Sequence, residues 1–327
     1  MIQTRPVPRA NLNLTEISFG CAAIAGLYRA CPEDQALATL DAAWAAGIRY
    51  FDTAPFYGTG LSEQRLGRFL RGKPRGEAVI STKVGRLLHP VSPGTAPDYG
   101  FVGTLPQAVT FDYTGYGILR SLDSSLQRLG LDRIDILYIH DIGPYSHGPQ
   151  APRHMADLNA TGIPALERLK SEGVIKAWGL GVNEVQVCQD LMARAPIDII
   201  LMAGRYTLLD RRAEALLAQA KRDGTALVIG GVFNSGILAT GPIAEATFDY
   251  QPASPEILAK VAALDRITHA AGSTLIAAAL QFPLRTPAVA SVLLGAADPA
   301  SLRRNLTALR QPVPPETWLQ IEPHTLR

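Results

Sequence analysis

Four side chains in the first half of the sequence have the types needed to move a proton to or from an oxygen: Asp52, Tyr57, Lys83 and His140. Asp52 follows Tyr50-Phe51, Lys83 closes Val79-Ile80-Ser81-Thr82, and His140 closes Ile136-Leu137-Tyr138-Ile139, so each ends a short apolar run. Tyr57 lies just beyond Asp52 in the turn Ala54-Pro55-Phe56-Tyr57-Gly58. Bringing a phenol from its usual pKa of about 10 to about 7 takes roughly 4 kcal/mol. One ammonium about 4 Å away supplies a Coulomb interaction of that order at an effective dielectric of about 20. Lys83 is therefore expected to activate Tyr57, Asp52 to keep Lys83 charged and oriented, and His140 to hydrogen-bond the reacting oxygen. Taken singly, each residue has a plainer reading as an ion-pair partner, a packed phenol or a satisfied core histidine. Together on one rim they favour chemistry. The set carries no electrons of its own, so a redox reaction requires a bound cofactor. A lysine beside an acid also permits Schiff-base chemistry, as in a lyase.

Elements that could bring the four together recur along the chain as a striped helix, a glycine and a short β-branched strand, seen in AAWAAGIRYFD, LKSEGVIKAWGLG and AKRDGTALVIGG. Gly47, Gly173 and Gly224 fall where a helix ends in a left-handed residue before the next strand. Strands are expected at 17–19, 50–52, 79–83, 134–140, 177–181, 199–202, 226–229 and 289–294. Helices are expected at 32–46, 62–70, 116–129, 161–172, 184–195, 211–223, 255–271 and 299–309, the first with Pro32 at N1 and Leu37, Leu40 and Trp44 buried. The alternation predicts a single-domain α/β (β/α)8 TIM barrel over 1–327, whose active site lies at the C-terminal strand ends. A doubly wound open sheet is the alternative, but no G-x-G-x-x-G follows the first strand.

Two long connections, 84–115 and 141–160, are expected over that face. The first holds five glycines, four prolines and the aromatics Tyr99, Phe101, Phe111 and Tyr113, which favours a packed lid. The second carries Tyr145, His147 and His154, whose spacing is no recognised metal pattern, so no metal is expected.

The chain has 327 residues, 47% of them hydrophobic and 18% charged, enough for a large globular core. Lys plus Arg number 31 against 29 Asp plus Glu, and no basic run follows a phosphate backbone, which argues against nucleic acid. No apolar run reaches the roughly 20 residues of a membrane span, and no secretory leader is visible, so a cytoplasmic location is expected. Cys21, Cys31 and Cys188 are too few and too far apart for a disulfide framework or a zinc site.

The run from Phe51 to Gly58, Ser62-Glu63, Leu66-Gly67, Lys83, LDRIDILYIHD at 131–141 and LLGAADPASLRRNL at 293–306 resemble the aldo-keto reductase superfamily, from Ile17 to about Leu309. KVGRLL, FDY at 111–113, GLGVNE at 179–184 and AGRYTLLD at 203–210 resemble its aldose 1-dehydrogenase branch, which oxidises L-fucose, L-galactose or D-threo-aldoses. The resemblance implies Asp52, Tyr57, Lys83 and His140 as a catalytic tetrad. It implies Asn183 against the nicotinamide carboxamide, Asn305 against adenine, and Gly295 and Ser301 at positions that are basic in NADP-preferring members. Asp298 is the expected N-cap of the following helix, where its carboxylate would repel a 2′-phosphate and accept from a free 2′-hydroxyl. NAD is therefore expected over NADP, with Arg303 and Arg304 as the residues that could offset this.

Two departures stand out. Ala203 replaces a family glutamine, and Gly230 replaces the tyrosine that stacks on nicotinamide, leaving Tyr206 or Phe233 as candidate substitutes. Arg86, His89 and Tyr145 are candidate readers of a sugar's hydroxyls. The expected reaction is NAD-dependent oxidation of an aldose C1 hydroxyl to a lactone, with pyridoxal oxidation or carbonyl reduction as alternatives within the family. Outside that class stand a Schiff-base lyase and a nucleotide-binding regulatory subunit.

Overall fold

Each strand of this chain is too apolar to face water, and each helix has one face to bury against it, so the repeating unit closes on itself. The computed structural model describes residues 2–327. Eight parallel strands form a closed barrel in chain order. They are β1 Ile17–Gly20, β2 Tyr50–Asp52, β3 Val79–Val84, β4 Ile136–His140, β5 Ala177–Val182, β6 Ile199–Ala203, β7 Ala226–Gly230 and β8 Val289–Gly295. The seam pairs Val292 of β8 with Ile17 of β1. All eight lie where the sequence placed them, apart from small shifts at their ends.

The outer layer is α1 Glu33–Ala45, α2 Leu61–Leu70, α3 Gly115–Leu129, α4 Ile163–Ser171, α5 Val185–Met192, α6 Glu214–Asp223, α7 Pro255–Ala270, α8 Leu275–Leu284 and α9 Pro299–Leu309. Gly47, Gly173 and Gly224 have φ of 93°, 75° and 72°, as the helix-to-strand turns require. Pro32 caps α1 instead of opening it, and Leu37 and Trp44 are only partly buried there while Leu40 is fully buried. α6 starts at Glu214, because Asp210 accepts from the Arg212 backbone and side chain and holds the preceding residues in a turn. α8 was not anticipated. Its sequence LIAAALQFPL is apolar on nearly every face, so it shows no amphipathic period.

The 84–115 connection is a packed structure with a hairpin at its base, Arg86–Pro90 against Gln107–Phe111. Its tip is pinned where Val102 donates to the Gly26 carbonyl, and a Cβ on Gly26 would stand 2.2 Å from the Val102 oxygen. Phe101 and Tyr99 close edge-on over Phe56 at 5.9 and 5.4 Å. The 141–160 connection contains the short helices Pro144–His147 and Ala151–Asp157. At the other end of the barrel, an N-terminal hairpin, Thr4–Val7 with Leu12–Thr15, buries Val7, Leu12 and Leu14 against Tyr50, Tyr138, Leu201 and Val228 inside the strands.

Candidate active site

The strand ends place three ionisable groups at one point. Asp52 and Lys83 are fully enclosed, and Lys83 Nζ donates to Asp52 Oδ2 at 2.6 Å and to the Thr53 carbonyl at 2.9 Å. Asp52 Oδ1 accepts from Ser81 Oγ at 2.7 Å. Behind Ser81 run the hydroxyls of Tyr50 and Tyr138, at 3.1 and 2.9 Å. A buried carboxylate is tolerated here because both oxygens are engaged and a cation faces it. Asp52 and Tyr57 together hold the Lys83 ammonium in its charged form against its burial.

Tyr57 is delivered by the 3-10 turn Tyr57–Gly60, in which Gly58 and Thr59 adopt φ of 60° and 52°. A Cβ on Gly58 would lie 2.8 Å from the Ala25 carbonyl, so glycine is needed there. Lys83 Nζ lies 4.6 Å from the centre of the Tyr57 ring, and the His140 ring meets that ring edge-on at 5.9 Å. Phe101 stacks on the same ring at 6.1 Å. The four residues therefore share one mouth.

One electrostatic expectation needs correcting. Burial pushes the Tyr57 phenol above its ordinary value, and the Lys83 charge opposes this without overcoming it. The physical reason is first the desolvation of the phenol, to which the Asp52 charge adds. At 2.6 Å Asp52 compensates the ammonium, so the phenol faces an ion pair instead of a bare cation.

His140 is buried and held far below the usual imidazole pKa by desolvation and by the nearby Arg86 and Lys83 charges, so it is a neutral donor or acceptor. Its Nε2 is 3.5 Å from Asp141 Oδ2, and its buried Nδ1 has no partner among the described residues. Tyr113, fully enclosed, donates to the His140 carbonyl at 2.7 Å and lies 2.8 Å from His147 Nε2. His147 and His154, seven residues apart in sequence, meet with ring centres 4.5 Å apart and planes tilted by 56°.

Arg86 belongs to this mouth. It is buried, donates to Asp141 Oδ2 at 2.7 Å, and lies over the Phe56 ring at 4.3 Å. His89 is placed elsewhere: it bonds Thr110 across the hairpin and lines a side cleft with Arg120, Arg153 and His154. Tyr145 is exposed at the rim, near Tyr28 and Tyr250, whose phenols are raised first by burial.

The residues of the expected nucleotide crevice follow β5 and β8. Asn183 lies just past β5, near Tyr250, and its carbonyl accepts from Arg205 Nε at 3.1 Å. Gly295 ends β8, and a Cβ there would meet open space. Asp298 caps α9, accepting from Ser301 N at 2.7 Å and Ser301 Oγ at 2.8 Å, and Asn305 lies farther along the same helix. Asp298 is not an isolated anion, since Arg29 reaches it at 3.3 Å and Arg304 bonds Ser301 Oγ at 2.8 Å. Tyr206 is unavailable for stacking, because it is committed to Thr286 at 2.6 Å and to Phe282 in the outer core. Phe233 remains partly exposed and packs against that core. Open space at Gly295 and the side-chain amides of Asn183 and Asn305 offer the room and the donor set that a nicotinamide dinucleotide would use.

Asp141, Tyr113, Tyr250 and Arg29 escaped the sequence reading. Only Asp141 carried a signal, its position directly after His140.

A closed parallel barrel with a tyrosine, a lysine, an aspartate and a histidine at its C-terminal mouth has the form of an oxidoreductase site. Residues 16–325 match the Aldo/keto reductase family, and the chain belongs to it. It is 44% identical to pyridoxal 4-dehydrogenase of Microbacterium luteolum, covering 97% of this chain and 95% of that protein. It is 40% identical to D-threo-aldose 1-dehydrogenase of a Pseudomonas species, covering 98% and 97%. Among solved structures, an aldo-keto reductase from Bacillus halodurans in its holo form superposes with a TM-score of 0.76 at 26% identity, over 99% of this chain and 97% of that one. The protein is thus an aldo-keto reductase-type oxidoreductase, a family that works with nicotinamide cofactors.

Proposed function

We propose that the protein oxidises the hydroxyl of a cyclic hemiacetal, in the first instance C1 of an aldose such as L-fucose, L-galactose or a D-threo-aldose, to the lactone, with NAD as acceptor. The observation that carries this is the buried Lys83–Asp52 pair beneath Tyr57, with neutral His140 edge-on to the same ring. His140 fixes the C1 oxygen, and Tyr57 as phenolate takes its proton. Lys83 stabilises the phenolate, while Asp52 keeps Lys83 in place. A bound nicotinamide supplies the acceptor for the carbon-bound hydrogen and its electron pair.

The names of the two relatives support a hemiacetal centre, since aldoses and pyridoxal both close to cyclic hemiacetals. Pyridoxal is therefore the second reading, favoured by the relative at 44% identity. NAD is proposed because Asp298 already occupies the α9 donor that a 2′-phosphate would use. Arg29 and Arg304 work against that preference, so its size is the quantity to measure.

Tyr57→Phe should lower turnover by about 10³-fold or more while nucleotide affinity, read by fluorescence quenching, stays within about threefold. The assay follows nicotinamide reduction over a panel of aldoses, pyridoxal and simple alcohols, with NAD and then NADP. Retention of most turnover would remove Tyr57 from its role. Equal efficiency with the two nucleotides would remove the NAD preference. Borohydride trapping of substrate on Lys83 would favour the lyase, and nucleotide binding without turnover would favour a regulatory subunit.

A further inference from the structure

Asp141 is an acid the mechanism above does not use, and its environment is unusual. It follows His140 directly and sits at φ of 40°, a left-handed conformation that an aspartate adopts at a cost. The chain holds it there by a hydrogen bond from its N–H to the Gly181 carbonyl at 3.1 Å, and the Tyr113 hydroxyl approaches its own carbonyl at 3.4 Å. The turn aims the carboxylate back over the mouth. Oδ2 accepts from Arg86 Nη2 at 2.7 Å and stands 3.5 Å from His140 Nε2. Oδ1 takes part in no hydrogen bond among the described residues, although the side chain is only 20% exposed. That oxygen is open to solvent, whereas two polar atoms beside it are fully buried without partners among the described residues, Arg86 Nε and His140 Nδ1. Both side chains are more than nine-tenths buried, at 7% and 5% exposure. Buried polar groups are normally paired, so a group of orphans around one opening marks a place that a polar ligand completes.

We propose that Asp141 is a specificity-determining residue whose free carboxylate oxygen accepts a hydrogen bond from a hydroxyl on the carbon next to the reacting one, so that the site selects α-hydroxy aldehydes and their hemiacetals. The proposal rests on the reading that His140 binds the reacting oxygen. His140 Nε2 and the Asp141 carboxylate stand side by side at the mouth, with Oδ2 3.5 Å from Nε2, so the two groups can face neighbouring oxygens of one ligand. Two oxygens on adjacent carbons in a gauche arrangement lie about a hydrogen-bond length apart, so one can face the imidazole while its neighbour faces the carboxylate. Arg86 has two effects. It occupies one carboxylate oxygen and leaves the other for the ligand, and its charge opposes the rise that burial imposes on the Asp141 carboxyl; an ionised carboxylate there makes the contact charge-assisted. An apolar substituent in the same place would leave that oxygen enclosed and unpaired, which is why such a contact rejects the deoxy analogue more strongly than it rewards the hydroxyl.

The test reduces glyceraldehyde and 3-hydroxypropanal, which differ only by the 2-hydroxyl, with reduced nicotinamide nucleotide, and oxidises L-fucose and 2-deoxy-L-fucose in the other direction. The wild-type protein should prefer glyceraldehyde in kcat/KM by about 10- to 100-fold, the range for a hydrogen bond to a charged group. Asp141→Ala should erase most of that preference, lowering kcat/KM for glyceraldehyde by a larger factor than for 3-hydroxypropanal. Asp141→Asn keeps an oxygen for Arg86 and should give an intermediate ratio, and it decides the matter where the alanine variant does not fold. An unaltered ratio with equal losses on both substrates would overturn the proposal, as would a wild-type protein indifferent to the 2-hydroxyl. Turnover of glyceraldehyde with the expected ratio but none of any sugar would overturn the aldose reading and leave this one standing.

Discussion

Tyr57 is subject to opposing influences, and their balance sets how the reaction depends on pH. Desolvation disfavours its phenolate, Lys83 favours it, and Asp52 weakens what Lys83 provides. With the phenol above its ordinary value, the neutral form dominates at pH 7. That form is the proton donor a carbonyl reduction needs, whereas oxidation needs the minority phenolate. Below the phenol's pKa the phenolate fraction grows about tenfold per pH unit, so oxidative kcat/KM should climb steadily from pH 6 to at least pH 9, while reduction stays flat across that range. Lys83→Met removes the one group that lowers the phenol and should displace the oxidative limb to still higher pH. His140, held far below 6.5, adds no limb of its own in that window. Paired pH–rate profiles in the two directions check this, and an oxidation rate flat from pH 6 to 9 would mean that Tyr57 is already ionised.

At the scale of elements, the geometry of Tyr57 and Lys83 depends on what neighbouring strands leave out. Lys83 crosses the barrel mouth toward Asp52 over Gly181 of β5, where an added Cβ would stand 3.2 Å from Lys83 Cε and 3.3 Å from Tyr138 Cβ. Gly181→Ala should therefore push the ammonium off line, lowering kcat by about 10- to 100-fold with nucleotide affinity nearly unchanged, since small misplacements of reacting groups carry costs of this size. A variant with wild-type kcat would show that Lys83 tolerates the shift. The strands and most helices were legible because each is bounded by a glycine and carries a clear apolar period, and the four rim residues were legible because they end those strands. α8 was hidden by burial on nearly all faces. The hairpin at 86–111 was hidden by the prolines and glycines around its tip. Asp141 was hidden for a different reason: its left-handed turn, its Arg86 partner and its free oxygen come from tertiary packing between segments far apart in sequence. His89 shows the opposite error, since a plausible side chain in the right loop is turned toward another cleft.

Across the whole molecule, stability and chemistry occupy opposite ends of the barrel. The candidate catalytic groups cluster at the C-terminal strand ends, while the N-terminal hairpin closes the other end. Arg5 ties this plug down, donating to the carbonyls of Leu284 and Val289 at 2.9 Å each and to Glu16 at 2.6 Å. Leu14 is fully buried among Tyr50, Tyr138 and the aliphatic side chains of the barrel interior. Among the described residues no helix is long and apolar enough to cross a membrane. In a barrel of this kind, residues at the bottom face serve the fold and those at the top serve the reaction. Leu14→Ala should therefore lower the free energy of unfolding by about 2–5 kcal/mol, the usual range for deleting a buried leucine side chain. The two hydroxyl contacts of Tyr50 link that interior to Ser81 and thence to Asp52, so the plug is close to the catalytic carboxylate through a chain of hydrogen bonds. If that chain is rigid, kcat below the unfolding transition should match the wild type within about twofold while thermal and urea midpoints fall. A kcat loss that grows with the size of the cavity, measured well below the melting temperature across Leu14→Val and Leu14→Ala, would show instead that the bottom of the barrel sets the position of Asp52.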